Sequence, residues 1–184
     1  MVGSQRIGRQ SRRDSPVTKL LLSVHVLAAI VAIGPITVAA SMFPRFVKPQ
    51  TGEDQSGEER TPATAALLHR ICRGYTVVGV AVPVFGLATG AQMGVLGDAW
   101  LIVSIVLTAI AAALLLAAIL PGQERLLAQP AGVTAGTGTA VGTATAEATR
   151  SAAARLAMVT GIFNLLWAVV VVLMIVRPGS TTGA

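Results

Sequence analysis

The chain has 184 residues, of which 53% are hydrophobic and only 12% are charged, with a formal net charge of +6 at pH 7. A soluble domain of that length shows amphipathic stripes with charges recurring every third or fourth position, whereas here charge is absent from long runs altogether. The positive charge would suit a nucleic-acid partner, but the basic residues flank apolar runs. Bilayer headgroups and topology explain them there, so nucleic acid is set aside. Cys72 is the single cysteine, which excludes an internal disulfide and a thiolate metal cluster.

Residues 1–16 carry Arg6, Arg9, Arg12 and Arg13 among Gly, Ser and Gln, and are expected to be a disordered basic tail. The apolar run that follows is too long for the core of a cleaved signal peptide, so it reads as a retained helix. That first span is expected over about 17–40, with a kink near Gly34-Pro35, because Pro35 lacks a backbone donor and crowds the preceding turn. Ser41 to Thr61 reads as a polar loop, with Pro62 suited to the first turn of the next helix.

The second span is expected over about 66–90. It reaches membrane length only with the His69–Arg73 turn as its interfacial end, and Pro83 is expected to kink it. Asp98 is placed to cap a third span over about 99–120, Trp100 sits where an interfacial aromatic belongs, and Pro121-Gly122 should stop that span. Gln129–Ala148 is an Ala/Gly/Thr tract expected to be flexible, since it has almost no large apolar side chain to bury. The fourth span is expected over about 156–176, followed by a disordered tail at 178–184. The fold expected is therefore all-α: a four-helix transmembrane bundle over residues 17–177, multi-pass in the plasma membrane.

The loops after the first and third spans hold Arg45, Lys48, Arg60, Arg70, Arg73, Arg125, Arg150 and Arg155, and the loop after the second holds no Lys or Arg. The positive-inside rule then places both termini outside, against the vote of the N-terminal arginines. Translation starting at Val17 would remove that conflict.

His25 is the most suggestive side chain, because an imidazole well inside a membrane helix is costly unless it faces the bundle, a partner or a cofactor. It reads either as a cofactor ligand, with haem b the candidate, or as a hydrogen-bonding group toward Asn164, Thr160 or Ser104 on a neighbouring helix. A bis-histidine haem with His69 is disfavoured, because antiparallel spans put the two rings roughly 15–20 Å apart in height. His69 is expected at the headgroups beside Arg70 and Arg73. Small residues four apart, as at Ala28/Ala32, Gly86/Gly90, Ala109/Ala113 and Ala157/Gly161, are expected to serve packing within the bundle. No phosphate-cradling loop, HExxH, CxxC or serine-elbow motif occurs, and no acidic residue lies mid-span. These readings point to a non-enzymatic membrane protein that associates with other membrane proteins or with itself. A haem-binding or redox protein is the alternative. A small-solute or metal permease would have only Thr76, Thr108, Ser104, Thr160 and Asn164 to line a path.

The stretch Leu20-Leu21-Leu22-Ser23-Val24-His25-Val26-Leu27-Ala28-Ala29-Ile30-Val31-Ala32-Ile33-Gly34, with the ending Gly86-Leu87-Ala88-Thr89-Gly90 of the second span, resembles a bacterial family. It is the predicted integral membrane protein family of unknown function 2269, distantly similar to the copper-resistance protein D and protoporphyrinogen-oxidase-like membrane families. His25 and Gly34 keep the family spacing, while Ala32 stands where that family has Trp and Val24 where it has Leu. The resemblance implies a four-helix architecture over about 17–177 and, in haem or oxidase members, a role for the residue at His25.

Overall fold

A computed structural model describes residues 16–47, 62–128 and 140–179, and among these every regular element is a helix. In chain order they are α1 (Pro16–Val47), α2 (Pro62–Gly79), α3 (Ala81–Met93), α4 (Ala99–Leu114), a π-helical turn (Leu115–Ile119), α5 (Leu120–Leu127) and α6 (Ala140–Val176). They make four rods long and apolar enough to cross a membrane: Pro16–Val47, Ala63–Met93, Ala99–Leu127 and Ala144–Val176. The chain is an all-α, multi-pass four-helix protein. The expectations for the basic tail before Pro16, for residues 48–61 and 129–139, and for the last five residues lie outside the described residues.

Burial follows the spacing that lets helices interlock. On the fourth span one row of buried or half-buried positions runs through Ala146, Thr149, Ala153, Leu156, Thr160, Phe163, Trp167, Val170 and Met174, alternating steps of three and four. That is the spacing of knobs-into-holes packing between helices crossing at about 20°. On the opposite side large apolar side chains face outward, among them Leu165 and Ile175, 65% and 74% exposed. In water each such Leu or Ile forgoes roughly 1.5–3 kcal/mol of burial, so hydrocarbon is the solvent that suits this surface.

Each span departs from its expected limits. The first continues past Ala40 to Val47, through Pro44, because Phe43 is fully buried and its packing holds the turn that Ser41 to Arg45 was expected to unwind. The second starts at Pro62, the residue expected in its first turn, earlier than the limit of about 66, and breaks at Val80, where Val80 N–H bonds to Val77 O at 3.3 Å. Pro83 supplies the reason: it has no N–H for the Gly79 carbonyl, and its ring crowds that carbonyl.

The third span does not stop at Pro121-Gly122. It widens into the π turn, where Leu120 N–H reaches Leu115 O, and then runs on to Leu127. The fourth starts at Ala140, so residues 140–148 of the Ala/Gly/Thr tract are helical rather than flexible. Alanine is the strongest helix former, and Thr149 Oγ1 donates back to Thr145 O at 3.0 Å instead of competing for the turn.

The described residues fall into two compact units. The first takes in the segment up to Gly34, Tyr75–Ala111 and the segment from Leu165 onward, and the second takes in Pro35–Gly74 and Ala112–Asn164. In the first unit α3 ends on Gly94, whose φ of 68° is left-handed. Gly94 N–H bonds to Ala91 O and Val95 N–H to Gly90 O, both at 3.1 Å, which together close a Schellman cap. Met93, Val95, Trp100 and Leu101 cluster there, with Met174 packed against them.

In the second unit polar and apolar contacts join the spans in a ring. Cys72 reaches Ile36 O, His69 reaches Gln123, Gly122 approaches Leu156, and Asn164 donates to Ser41. First to second, second to third, third to fourth and fourth to first are all paired.

Candidate functional site

His25 belongs to the first unit. Its Nδ1 lies 2.9 Å from the backbone oxygen of Val82 on α3. A carbonyl only accepts, so Nδ1 carries the hydrogen and, in the neutral ring, Nε2 keeps the free lone pair. Gly86 makes this approach feasible: a Cβ there would sit 2.8 Å from Cε1 and 3.2 Å from Nδ1 of the imidazole. Real Cβ atoms do not come that close, so the ring rests on a notch that glycine alone leaves open. Sequence reading marked Gly86 as half of a small-residue pair and did not connect it with His25.

The three residues expected to answer His25 are placed elsewhere. Ser104 donates to Trp100 O of its own helix at 2.8 Å. Asn164 donates through Nδ2 to Ser41 Oγ at 3.0 Å, and its Oδ1 is buried with no hydrogen-bond partner among the described residues. Thr160 is buried and its Oγ1 likewise has none. Asn164 and Thr160, one turn apart in the second unit, thus present two orphaned acceptor positions of the kind an ordered water satisfies. Of the residues weighed for a permease path, Thr76, Ser104 and Thr108 lie in the first unit and Thr160 and Asn164 in the second.

A second polar centre, which the sequence did not announce, lies in the second unit. His69 is turned inward and not toward headgroups, its side chain only 13% exposed. Its Nδ1 is 3.0 Å from Oε1 of Gln123, which is itself fully buried. Gln123 Nε2 donates to Cys72 Sγ at 3.6 Å, and the thiol lies 3.9 Å from Ile36 O. On the outer side, His69 Nε2 is 3.7 Å from Oε1 of the exposed Glu124. Hydrogen bonds therefore link the imidazole through the amide to a buried thiol, and an exposed carboxylate stands at ion-pair distance on the imidazole's outer side.

The π turn brings Gln123 there. From Leu101 onward the buried positions on the third span are Leu101, Ser104, Ala111, Leu115, Ile119, Gln123 and Leu126. An unbroken alternation of three and four after Leu115 would have turned Ala118, Gly122 and Arg125 inward. The extra residue in the wide turn substitutes Ile119, Gln123 and Leu126, and leaves Arg125 exposed. The signal available in the sequence was the spacing of His69 and Cys72, three residues apart and hence on one helix face.

Trp100 is buried within the first unit. Its Nε1 donates to Asp98 Oδ2 at 3.2 Å, and the Arg177 guanidinium lies 5.7 Å from its ring centroid. Asp98 opens the third span through its backbone oxygen, which accepts from Leu101 and Ile102 N–H.

No protein-family profile, curated protein or solved structure matches the chain. No group of three or more His, Cys, Asp or Glu residues placed to hold a metal ion occurs among the described residues.

Proposed function

We propose that this chain is a plasma-membrane protein, both termini outside, that acts by associating with other membrane components and not by catalysis. The observation that supports this reading is where its interior polar groups are committed. Ser41 with Asn164, His69 with Gln123, and Gln123 with Cys72 tie one span to another inside the bundle. Meanwhile Ala157 and Gly161, expected to serve packing within the bundle, instead lie exposed on the outer side of α6, and open space surrounds the position of a Gly161 Cβ. Small residues at that spacing let a further helix backbone approach closely.

Two measurements test it. The protein must remain with membranes after alkaline carbonate extraction. A photo-crosslinker at Ile162 must then give adducts in native membranes that Gly161→Leu abolishes. Adducts indifferent to Gly161→Leu refute association through this face. Labelling of Gly57→Cys from outside intact cells refutes the orientation.

A second reading, haem binding at His25, is favoured by one observation: the Val82 carbonyl holds the Nδ1 hydrogen and leaves Nε2 as the ligating atom. Among the described residues His25 is the side chain that would hold the group, through Nε2. Haem b bound there would supply one-electron chemistry, while Val82 and Gly86 would fix the ring's tautomer and position. A Soret band that appears on haem addition and is lost in His25→Ala supports it, and no band after reconstitution removes it.

A further inference from the structure

We infer that the arginines of the second unit form a binding surface for the headgroups of an anionic phospholipid. The inference rests on the membrane reading above. Each span contributes an arginine at or next to the point where its uncharged run begins or ends: Arg45 after Leu20–Pro44, Arg73 before Gly74–Met93, Arg125 beside the Glu124 that ends Ala99–Gln123, and Arg155 before Leu156–Val176. A run such as Gly74–Met93, about 20 residues, rises about 30 Å, so these arginines lie at a hydrocarbon boundary. Arg70 lies one turn outside Arg73, and Arg150 just over one turn outside Arg155. All six arginines belong to the second unit and all are exposed. None forms an ion pair or hydrogen bond with another described residue.

The described acidic groups of that unit are Glu124, which faces His69, and Glu147. In the first unit the described charges are only Lys19, Asp98 and Arg177, and the last of these is held by Trp100 and Met174 O. Six guanidiniums of one unit, with no ion pair among the described residues, at a bilayer boundary call for anions there. Phosphate oxygens match the guanidinium fork, and anionic headgroups are held at that depth by their own acyl chains.

The test uses the full chain in a neutral detergent, with thermal unfolding followed by circular dichroism. Phosphatidylglycerol should raise the midpoint by several degrees, and phosphatidylcholine at the same mole fraction should raise it far less. The difference should shrink by at least half in 0.5 M salt and in Arg73→Gln/Arg155→Gln. It should persist in Arg73→Lys/Arg155→Lys, which keeps the charge and controls for folding, and in Lys19→Gln. Equal shifts with the two lipids, full retention of the difference in the Gln pair, or equal loss in Lys19→Gln overturns the proposal. So does an equal shift with inorganic phosphate, which would make the ligand a free anion. A protein that carbonate releases from membranes defeats the membrane reading instead, so the two failures are distinguishable.

Discussion

Replacing Gly86 with alanine separates the notch from ordinary helix packing. The added methyl would stand 2.8 Å from His25 Cε1 and 3.2 Å from Nδ1, so the imidazole must withdraw. Withdrawal breaks the 2.9 Å bond from Nδ1 to Val82 O. Interhelical hydrogen bonds inside membranes contribute about 0.6–2 kcal/mol, and overpacking a tight contact costs about 1–3 kcal/mol. Alanine returns about 1 kcal/mol through its higher helix propensity. The net expectation is destabilisation by about 0.6–4 kcal/mol.

Unfolding in mixed micelles as the fraction of SDS rises measures it. The decisive comparison is the double-mutant cycle with His25→Ala, in which the clash and the hydrogen bond are both gone. In that background Gly86→Ala should turn neutral or stabilising by up to about 1 kcal/mol. An equal penalty with and without the imidazole would refute the reasoning, because the glycine would then serve something other than His25.

Three further outcomes follow from the packing. Gln123→Leu removes the acceptor of His69 and the donor to Cys72, and should cost about 1–3 kcal/mol in the same SDS assay. Glu124→Gln, on a 60% exposed side chain, should change little; equal costs would contradict the buried row. Phe163→Ala empties a fully buried site of the second unit and should cost about 3–5 kcal/mol, whereas Leu165→Ala, on the outer side of the same helix, should cost far less. The Cys72 thiol, fully buried, should resist a maleimide in the folded protein and react when SDS unfolds it, and prompt labelling of the native form would contradict its placement.

The fold was more legible in the sequence than the polar centres. His25 could be singled out because one imidazole in an apolar run is conspicuous by itself, but its partner could not, since a backbone oxygen such as that of Val82 exists at every residue. Asn164 was legible as a buried polar group, yet its partner Ser41 looked like the first residue of a loop. Gln123 and Glu124 were hidden behind Pro121-Gly122, a pair that ends helices in water. Here the π turn absorbs the missing donor and carries the helix past it.

What the sequence by itself determined is the number of spans and the solvent around them. Hydrocarbon imposes its demand on each stretch separately: about 20 apolar residues with every backbone group bonded inside the helix. A demand met locally can be read locally. Tertiary structure alone decided that Gly86 seats His25 and that one extra residue in a π turn delivers Gln123 to His69. Those are matters of register between segments distant in the chain. A shift of one residue along a helix turns a side chain by about 100°, far enough to exchange a buried amide for an exposed guanidinium.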